Sequence, residues 1–196
     1  EGAGCARRAR PRLPAGAAPD LDELLATLAE APDLASSAAF LLSRLGELTG
    51  SSRGLVRLLD PTLEVLGIVA MVGLEGDDVP AGLSVTDLSH PIVVATLSLH
   101  PVRCERGALG DPRVPFRDWI ALPLPRGDDR AGPPTIPVAR AADLLAPAGL
   151  RPGARPVRQQ EWFGHAPAGV VVLEGDPGEA AVAALARVAM FAGPIL

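Results

Sequence analysis

Apolar residues recur at helical spacing in two segments near the start of the chain. Leucines at 21, 24, 25 and 28 stand at i, i+3, i+4 and i+7, which predicts an amphipathic helix over 20–30 with Asp20 as its N-cap. Pro32 ends this helix. Asp33 is then the predicted N-cap of a second stripe of apolar residues, which predicts a helix over 33–48 that ends at Gly50.

Branched aliphatic residues dominate the segments that follow. GLVRLLD (54–60) and LEVLGIVAMVG (63–73) are separated by the turn Asp60-Pro61-Thr62, so we predict a β-hairpin. Residues 75–82 are predicted to be a loop. Further strands are predicted over 101–105, 117–125 and 168–176, and an alanine-rich helix over 178–193.

The segment SHPIVVATLSLHPVRC (89–104) holds two His-Pro pairs and a cysteine. Its apolar residues have helical spacing, with Ser89 as the predicted N-cap, Pro91 in the first turn and Pro101 after the end. His90 and His100 then lie at opposite ends of one helix, about 15 Å apart at the α-helical rise, which is too far to share a metal ion. The pattern predicts a capped helix here and no metal site.

The order of these elements is helix, helix, hairpin, helix, strand, strand, strand, helix. Strands and helices do not alternate, and the first two strands are joined tightly, which favours an α+β domain. We expect a central antiparallel sheet of five or six strands with helices on both faces. The helices at 20–30, 33–48 and 178–193 are expected to share one face, because they have apolar stripes and short connections.

The chain is expected to form a single domain over 20–196, preceded by a flexible tail at 1–19. Residues 126–167 are rich in proline and arginine and show little apolar periodicity, so they are interpreted as an irregular insertion. One helical turn is predicted within it at 139–146, and Trp162 and Phe163 are the residues expected to dock on the domain. The first and last residues indicate a piece of a longer protein.

Composition narrows the possible partners. The net charge is −5, and all 18 basic residues are arginines, since the chain contains no lysine. This acidic balance favours neither nucleic acid nor an anionic membrane as a partner. The longest apolar run, at 65–74, has about half the length of a bilayer span. With only Cys5 and Cys104 available, at most one disulfide can form, which favours a reducing, cytoplasmic setting.

Catalytic chemistry finds little support in the sequence. Cys104 beside a histidine would make a nucleophile pair, but a small buried strand residue is the better interpretation. Ser84, Asp87, Ser89 and His90 are too clustered in one loop for a catalytic triad, and the chain lacks a G-x-S-x-G motif. We therefore do not expect an enzyme. A hydrolase with an unrecognised site is kept as a third possibility.

The residues in this order resemble a GAF domain. The resemblance rests on the hairpin, on the capped helix that leads into His100-Pro101-Val102, on Pro123-Leu124, on the strand GVVVL at 169–173 and on the closing helix. It covers about residues 20–193, with 126–167 inserted where the family has a tight hairpin. The subset that the chain most resembles is the N-terminal sensory domain of bacterial enhancer-binding transcription activators.

The resemblance implies a domain that binds a small-molecule effector, or one that relays signals to an output domain of the same longer chain. The N-K-x-x-x-F motif of cyclic-nucleotide-binding members is missing, as are a tyrosine and the setting of a bilin cysteine, so no cofactor is assigned. The ligand is expected between the 89–100 helix and the sheet, near Thr96, His100, Cys104 and Trp119. The alternative is a module with a filled core that forms homodimers through its N- and C-terminal helices.

Overall fold

The computed structural model describes residues 21–60, 62–76, 79–104, 114–126, 139–140 and 167–196. The helices in these ranges are α1 (Leu21–Glu30), α2 (Leu34–Thr49), α3 (Pro91–Ser98) and α4 (Glu179–Ala192). The strands are β1 (Gly54–Asp60), β2 (Val65–Val72), β3 (Gly82–Ser84), β4 (Val102–Cys104), β5 (Trp119–Pro125), β6 (Ala139–Arg140) and β7 (Pro167–Glu174).

The strands form one sheet in the order β3-β2-β1-β7-β5-β4-β6. Six of them pair in antiparallel fashion, and the two-residue β6 adds a parallel pair to β4. The predicted hairpin is β1 and β2, and β7 lies between β1 and β5 in the middle of the sheet. The predicted α+β class, with helices on both faces of an antiparallel sheet, is confirmed.

Helices α1, α2 and α4 pack together against one face of the sheet, which we call the helical face. Their buried side chains are almost all leucine, valine and alanine, and they form one cluster with apolar residues of β1, β5 and β7. The predicted stripes supply this cluster, for example Leu24 and Leu28 of α1 and Leu41 and Leu45 of α2. The prediction that these three helices share a face is confirmed.

Helix α3 covers the opposite side of the sheet, which we call the α3 face. Here Ile92, Val93 and Ala95 of α3 join a second apolar cluster with residues from six strands and the adjoining loops. Successive residues of β7 alternate between the clusters: Val170 and Val172 belong to the α3 face, and the residues that follow each of them belong to the helical face. This alternation follows from the two-residue period of a strand.

The ends of α2 match the sequence prediction. The Oδ1 atom of Asp33 accepts a hydrogen bond from the backbone N–H of Ser36 at 2.7 Å. This bond satisfies an N–H group that has no partner within the helix, and it lowers the pKa of the Asp33 carboxyl. Gly50 ends the helix with φ at 67°, a left-handed conformation that glycine adopts without strain.

Two local predictions need correction. The segment 75–82 was expected to be a loop throughout, but Gly82 begins the short strand β3 on the edge of β2. Of the helical turn expected over 139–146, only residues 139–140 are described, and they form β6, which pairs with Val102 and Arg103. Both strands are too short to show an alternating pattern, and β6 exists only because β4 offers an edge.

Several predictions lie wholly or largely outside the described residues. These are the tail at 1–19, the Asp20 cap, the docking of Trp162 and Phe163, and most of the insertion at 126–167, of which only a few residues are described. Pro167, the last residue of that predicted insertion, is the first residue of β7. None of the helices in the described ranges has the length and apolar character that a bilayer span requires.

Candidate functional site on the α3 face

Helix α3 begins one residue later than the sequence predicts. Its N-cap is His90, whose Nδ1 atom accepts a hydrogen bond from the backbone N–H of Ile92 at 3.3 Å, and Pro91 occupies the first turn. Ser89, the predicted cap, instead bonds the carboxylate of Asp87 through its hydroxyl group and its backbone N–H. Histidine is not among the preferred cap residues, which explains why the pattern indicated its serine neighbour.

Thr96 is one of the predicted ligand-binding residues and is fully buried in α3. Its Oγ1 atom donates a hydrogen bond to the carbonyl oxygen of Ile92 at 2.7 Å. The hydroxyl group is therefore satisfied within the helix, while its oxygen retains the capacity to accept a hydrogen bond. The helix ends soon afterwards at Leu99, which has a left-handed conformation with φ at 53°.

Cys104 and Trp119 are brought together by the sheet. They are register partners in the antiparallel pair of β4 and β5, and both are at most 3% exposed within the apolar cluster of the α3 face. α3 packs against β5 and β7, so the helix, the thiol and the indole belong to one buried region. His100 is different, because it follows the end of α3 and is exposed. Ligand binding by these four residues stays a prediction.

Arg57 is a buried residue on this face that the sequence analysis did not single out. Its side chain is 1% exposed in the middle of β1. Leu55 and Leu59, two residues away on either side, both belong to the α3-face cluster, and β1 pairs with β7 without a register shift. The period of two therefore puts Arg57 on the same face. An arginine at an inward position of an apolar strand was the sequence signal for it.

The guanidinium group of Arg57 bonds only backbone carbonyl oxygens. Nη1 donates to Leu66 at 2.9 Å and to Ala81 at 3.4 Å, and Nη2 donates to Pro80 at 2.6 Å. Burial disfavours the charged form and lowers the pKa of Arg57 to about 10, so the group still carries its charge at neutral pH. Among the described residues, no carboxylate pairs with it.

A metal site finds no support in the described part of the chain, where no three His, Cys, Asp or Glu side chains are grouped as ligands. His165, the histidine of the insertion, lies outside the described residues. A groove of about 260 Å³ lies elsewhere, between α1 and α2. It is lined by apolar side chains, among them Phe40, and by charged ones, among them Arg44 and Glu47, which form an exposed ion pair.

Comparison with solved structures identifies the fold. The GAF domain of an Acinetobacter phosphoenolpyruvate-protein phosphotransferase is similar, with a TM-score of 0.59, 13% identity and 89% of each chain covered. This is the fold of a GAF domain. A methyl-accepting chemotaxis protein is similar over 88% of this GAF-fold chain and 93% of its own, with a TM-score of 0.55 and 12% identity.

One of the similar structures is an enzyme. The free methionine-R-sulfoxide reductase of Neisseria meningitidis, solved with its substrate, has a TM-score of 0.57 and 12% identity and covers 89% of this chain and 84% of its own. Neither the scan of family models nor the search of curated proteins finds a match to the sequence. At these identities the similarity shows the GAF fold, and the function has to be argued from the residues of this chain.

Proposed function

We propose that this GAF-fold domain is a non-enzymatic sensor that binds a small molecule on the α3 face and relays the event to an output domain. The observation that carries the proposal is the distribution of buried polar side chains. The described ranges contain four of them. Three lie on the α3 side of the sheet: Arg57 in β1, His90 at the cap of α3, and Thr96 within α3. The fourth, Ser37, lies in α2. Buried polar groups in an otherwise apolar region are typical of ligand sites.

The setting that we propose is cytoplasmic and bacterial, in the control of transcription. Its support is the resemblance of the capped helix and the His100-Pro101-Val102 strand to the sensory domains of enhancer-binding activators. The similar structures from a phosphotransferase and a chemotaxis protein have the same fold in proteins of other sensory or regulatory kinds. The two cysteines of the chain are consistent with a reducing compartment.

The test is a thermal-shift screen of metabolites and nucleotides with the wild-type domain and two tryptophan variants. Thr96→Trp fills space beside α3, whereas Thr27→Trp adds the same bulk in the exposed groove between α1 and α2. We expect a ligand to raise the melting temperature of the wild type and of Thr27→Trp, but not of Thr96→Trp. A response that survives in folded Thr96→Trp and disappears in Thr27→Trp would move the site to the groove.

Trp fluorescence provides a second readout of the same event. The chain has two tryptophans, so a Trp162→Phe background leaves Trp119, buried on the α3 face, as the reporter. Ligand binding on this face is expected to change the emission of Trp119 over the same concentration range as the thermal shift. Stabilisation without any change in this emission would argue against the α3 face as the site.

A second candidate function is a homodimerisation module that acts through its first and last helices. Phe191 near the end of α4 is 43% exposed, and Phe40 and Leu48 line the groove between α1 and α2. Sedimentation velocity over a range of concentrations tests this function. Phe191→Glu is expected to weaken the dimer, whereas Leu63→Glu, at the exposed turn of the hairpin, is expected to leave it unchanged.

A further inference from the structure

The hydrogen bonds of Arg57 leave part of its guanidinium group without a partner. A guanidinium has five N–H donors, and the structure gives this one three acceptors, all on Nη1 and Nη2. The Nε atom is buried and has no hydrogen-bond partner among the residues that the structure describes. A buried donor without an acceptor is costly, so an unoccupied Nε in a side chain that is 1% exposed needs an explanation.

Among the described residues, no negative charge compensates the positive charge of Arg57. No described carboxylate lies within ion-pair distance of it, although other arginines of the chain do have such partners: Arg53 pairs with Glu174, and Arg103 pairs with Asp176. Carbonyl oxygens accept hydrogen bonds from the N–H groups of Arg57, but they carry no net negative charge to balance the guanidinium. Because an unpaired buried charge is destabilising, a neutral residue of similar size would serve better if Arg57 only filled space.

The free part of the guanidinium has a shape that matches one class of ligand. Nε and Nη2 share one edge of the planar group, and Nη2 has a second hydrogen beyond the one that it donates to Pro80. A carboxylate can accept two parallel hydrogen bonds from such an edge, and the ionised acceptor would also supply the missing negative charge.

Only a thin layer of chain separates Arg57 from solvent. Two of its three acceptors are the carbonyl oxygens of Pro80 and Ala81, and both of these residues are exposed. They lie immediately before β3, where Ala81 accepts a backbone hydrogen bond from Ile68 of β2. A small shift of this segment would open the guanidinium to a ligand that enters from the edge of the α3 face.

We propose that Arg57 binds the carboxylate of the small-molecule ligand, through its Nε and Nη2 edge, beneath Pro80 and Ala81. The proposal rests on the sensor function proposed above and adds the chemical class of the ligand. The competing explanation is structural: Arg57 only ties β1 to the segment at Pro80 and Ala81. The two explanations differ in how Nε responds to added carboxylates.

The direct experiment observes the Nε–H group of Arg57 in the wild-type domain by ¹H–¹⁵N correlation spectroscopy. The probes are acetate and benzoate, each against its neutral amide, acetamide or benzamide, at constant ionic strength set with chloride. We expect the two carboxylates to shift the Arg57 Nε–H resonance in a saturable manner and the amides to leave it in place. An unchanged resonance with both carboxylates overturns the proposal without any variant being needed.

Variants then test the specificity. Arg57→Gln is expected to weaken the binding of benzoate by about tenfold or more, since a charge-assisted pair is lost, and Arg57→Lys is expected to retain part of the affinity. Arg44→Gln removes a surface arginine on the helical face and serves as the control for general electrostatic attraction. Equal weakening by Arg44→Gln and Arg57→Gln would overturn a specific role for Arg57.

The remaining outcomes separate this proposal from the sensor function. A neutral ligand that stabilises the wild type and Arg57→Gln equally, but not Thr96→Trp, keeps the sensor function and rejects the carboxylate assignment. Inorganic phosphate that shifts the Nε–H resonance at lower concentrations than either carboxylate also rejects the carboxylate assignment. Saturable shifts by carboxylates alone, lost in folded Arg57→Gln, establish it.

Discussion

The two faces of the sheet are built from different residues. On the helical face, three helices bury leucine, valine and alanine, and Ser37 is the one polar side chain among the described residues that is buried there. On the α3 face, one short helix of the described residues covers strands that include an arginine, and its cap is a buried histidine. The helical face has the composition of a stabilising core, whereas the α3 face also buries polar groups, which we propose recognise a ligand.

This contrast has a physical logic. Burial of apolar surface on the helical face supplies favourable free energy at about 25 cal/mol per Å², and no polar group has to be desolvated for it beyond a hydroxyl. The hydroxyl of Ser37 is bonded to the carbonyl oxygens of Leu28 and Asp33, so its burial is compensated. Arg57 on the opposite face is compensated only in part by the described residues, so its burial lowers the stability of the fold, and apolar burial elsewhere has to offset this cost.

The largest effect is expected from a deletion in the helical core. Leu45→Ala removes a fully buried side chain of α2 and should lower the free energy of unfolding by about 2–5 kcal/mol, because a cavity remains where the leucine packed. Urea unfolding followed by circular dichroism measures this. The folded variant should still respond to any ligand of the α3 face with the wild-type affinity. A loss of both stability and ligand response would show that the two faces are not separable.

A pair of glycine variants tests how closely the strands approach each other. A Cβ atom on Gly169 would lie 2.1 Å from the carbonyl oxygen of Arg57, so Gly169→Ala must push β7 away from β1. We expect a loss of about 1–3 kcal/mol in thermal or urea unfolding, the usual cost of overpacking. Gly67→Ala in β2 is the matched control, because no atom lies within 4 Å of its added Cβ atom. Equal effects of the two substitutions would contradict the close approach.

The smallest effect concerns the charge of Arg57 and appears at high pH. Burial lowers the pKa of this group from its usual range to about 10 in the folded protein. The unfolded chain therefore binds the proton more tightly, and the free energy of unfolding should rise as the pH increases above about 10, by about 1 kcal/mol at pH 11. The cost of the buried charge is fully present below pH 10. Neither lysine nor tyrosine is present to titrate in this range.

Urea unfolding at several pH values between 8 and 11 measures this rise, and Arg57→Met supplies the reference. The cysteines titrate near this range too, but they contribute equally to the wild type and to the variant. The free energy of unfolding of the wild type, minus that of Arg57→Met, should therefore increase as the pH rises above about 10. A difference that is independent of pH would mean that Arg57 is solvated or paired in solution.

Much of the fold could be predicted because local patterns and tertiary structure agree. The leucine stripe of α1, the cap at Asp33 and the apolar strand at 169–173 each carry a signal within a few residues. β3 and β6 could not be predicted, because strands of two or three residues depend on the edge that a neighbouring strand offers. His90 was missed as a cap because its role depends on the burial of an imidazole, which the order of residues does not show.

Less of the candidate site than of the fold could be predicted from the sequence. Thr96, Cys104 and Trp119 were predicted because the GAF resemblance pointed to the helix and strands that carry them. The structure shows all three to be buried on those elements, and ligand binding by them stays a prediction. His100 is exposed beyond the end of α3, since the left-handed residue Leu99 turns the chain there. The sequence does place Arg57 at an inward position of β1. Its importance becomes visible only in the structure, where no described carboxylate pairs with it.

The central position of β7 has a consequence for how the chain folds. β7 is the last strand along the sequence, yet it pairs with β1 on one side and with β5 on the other. Gly54 and Leu173 are register partners separated by 119 positions (173 minus 54), so closing the sheet requires a long loop to be ordered first. During synthesis, β1 and β5 each present an unpaired edge until residues 167–174 have emerged from the ribosome. The nascent domain is therefore expected to be most prone to aggregation just before its last strand arrives, and to gain cooperativity in one late step.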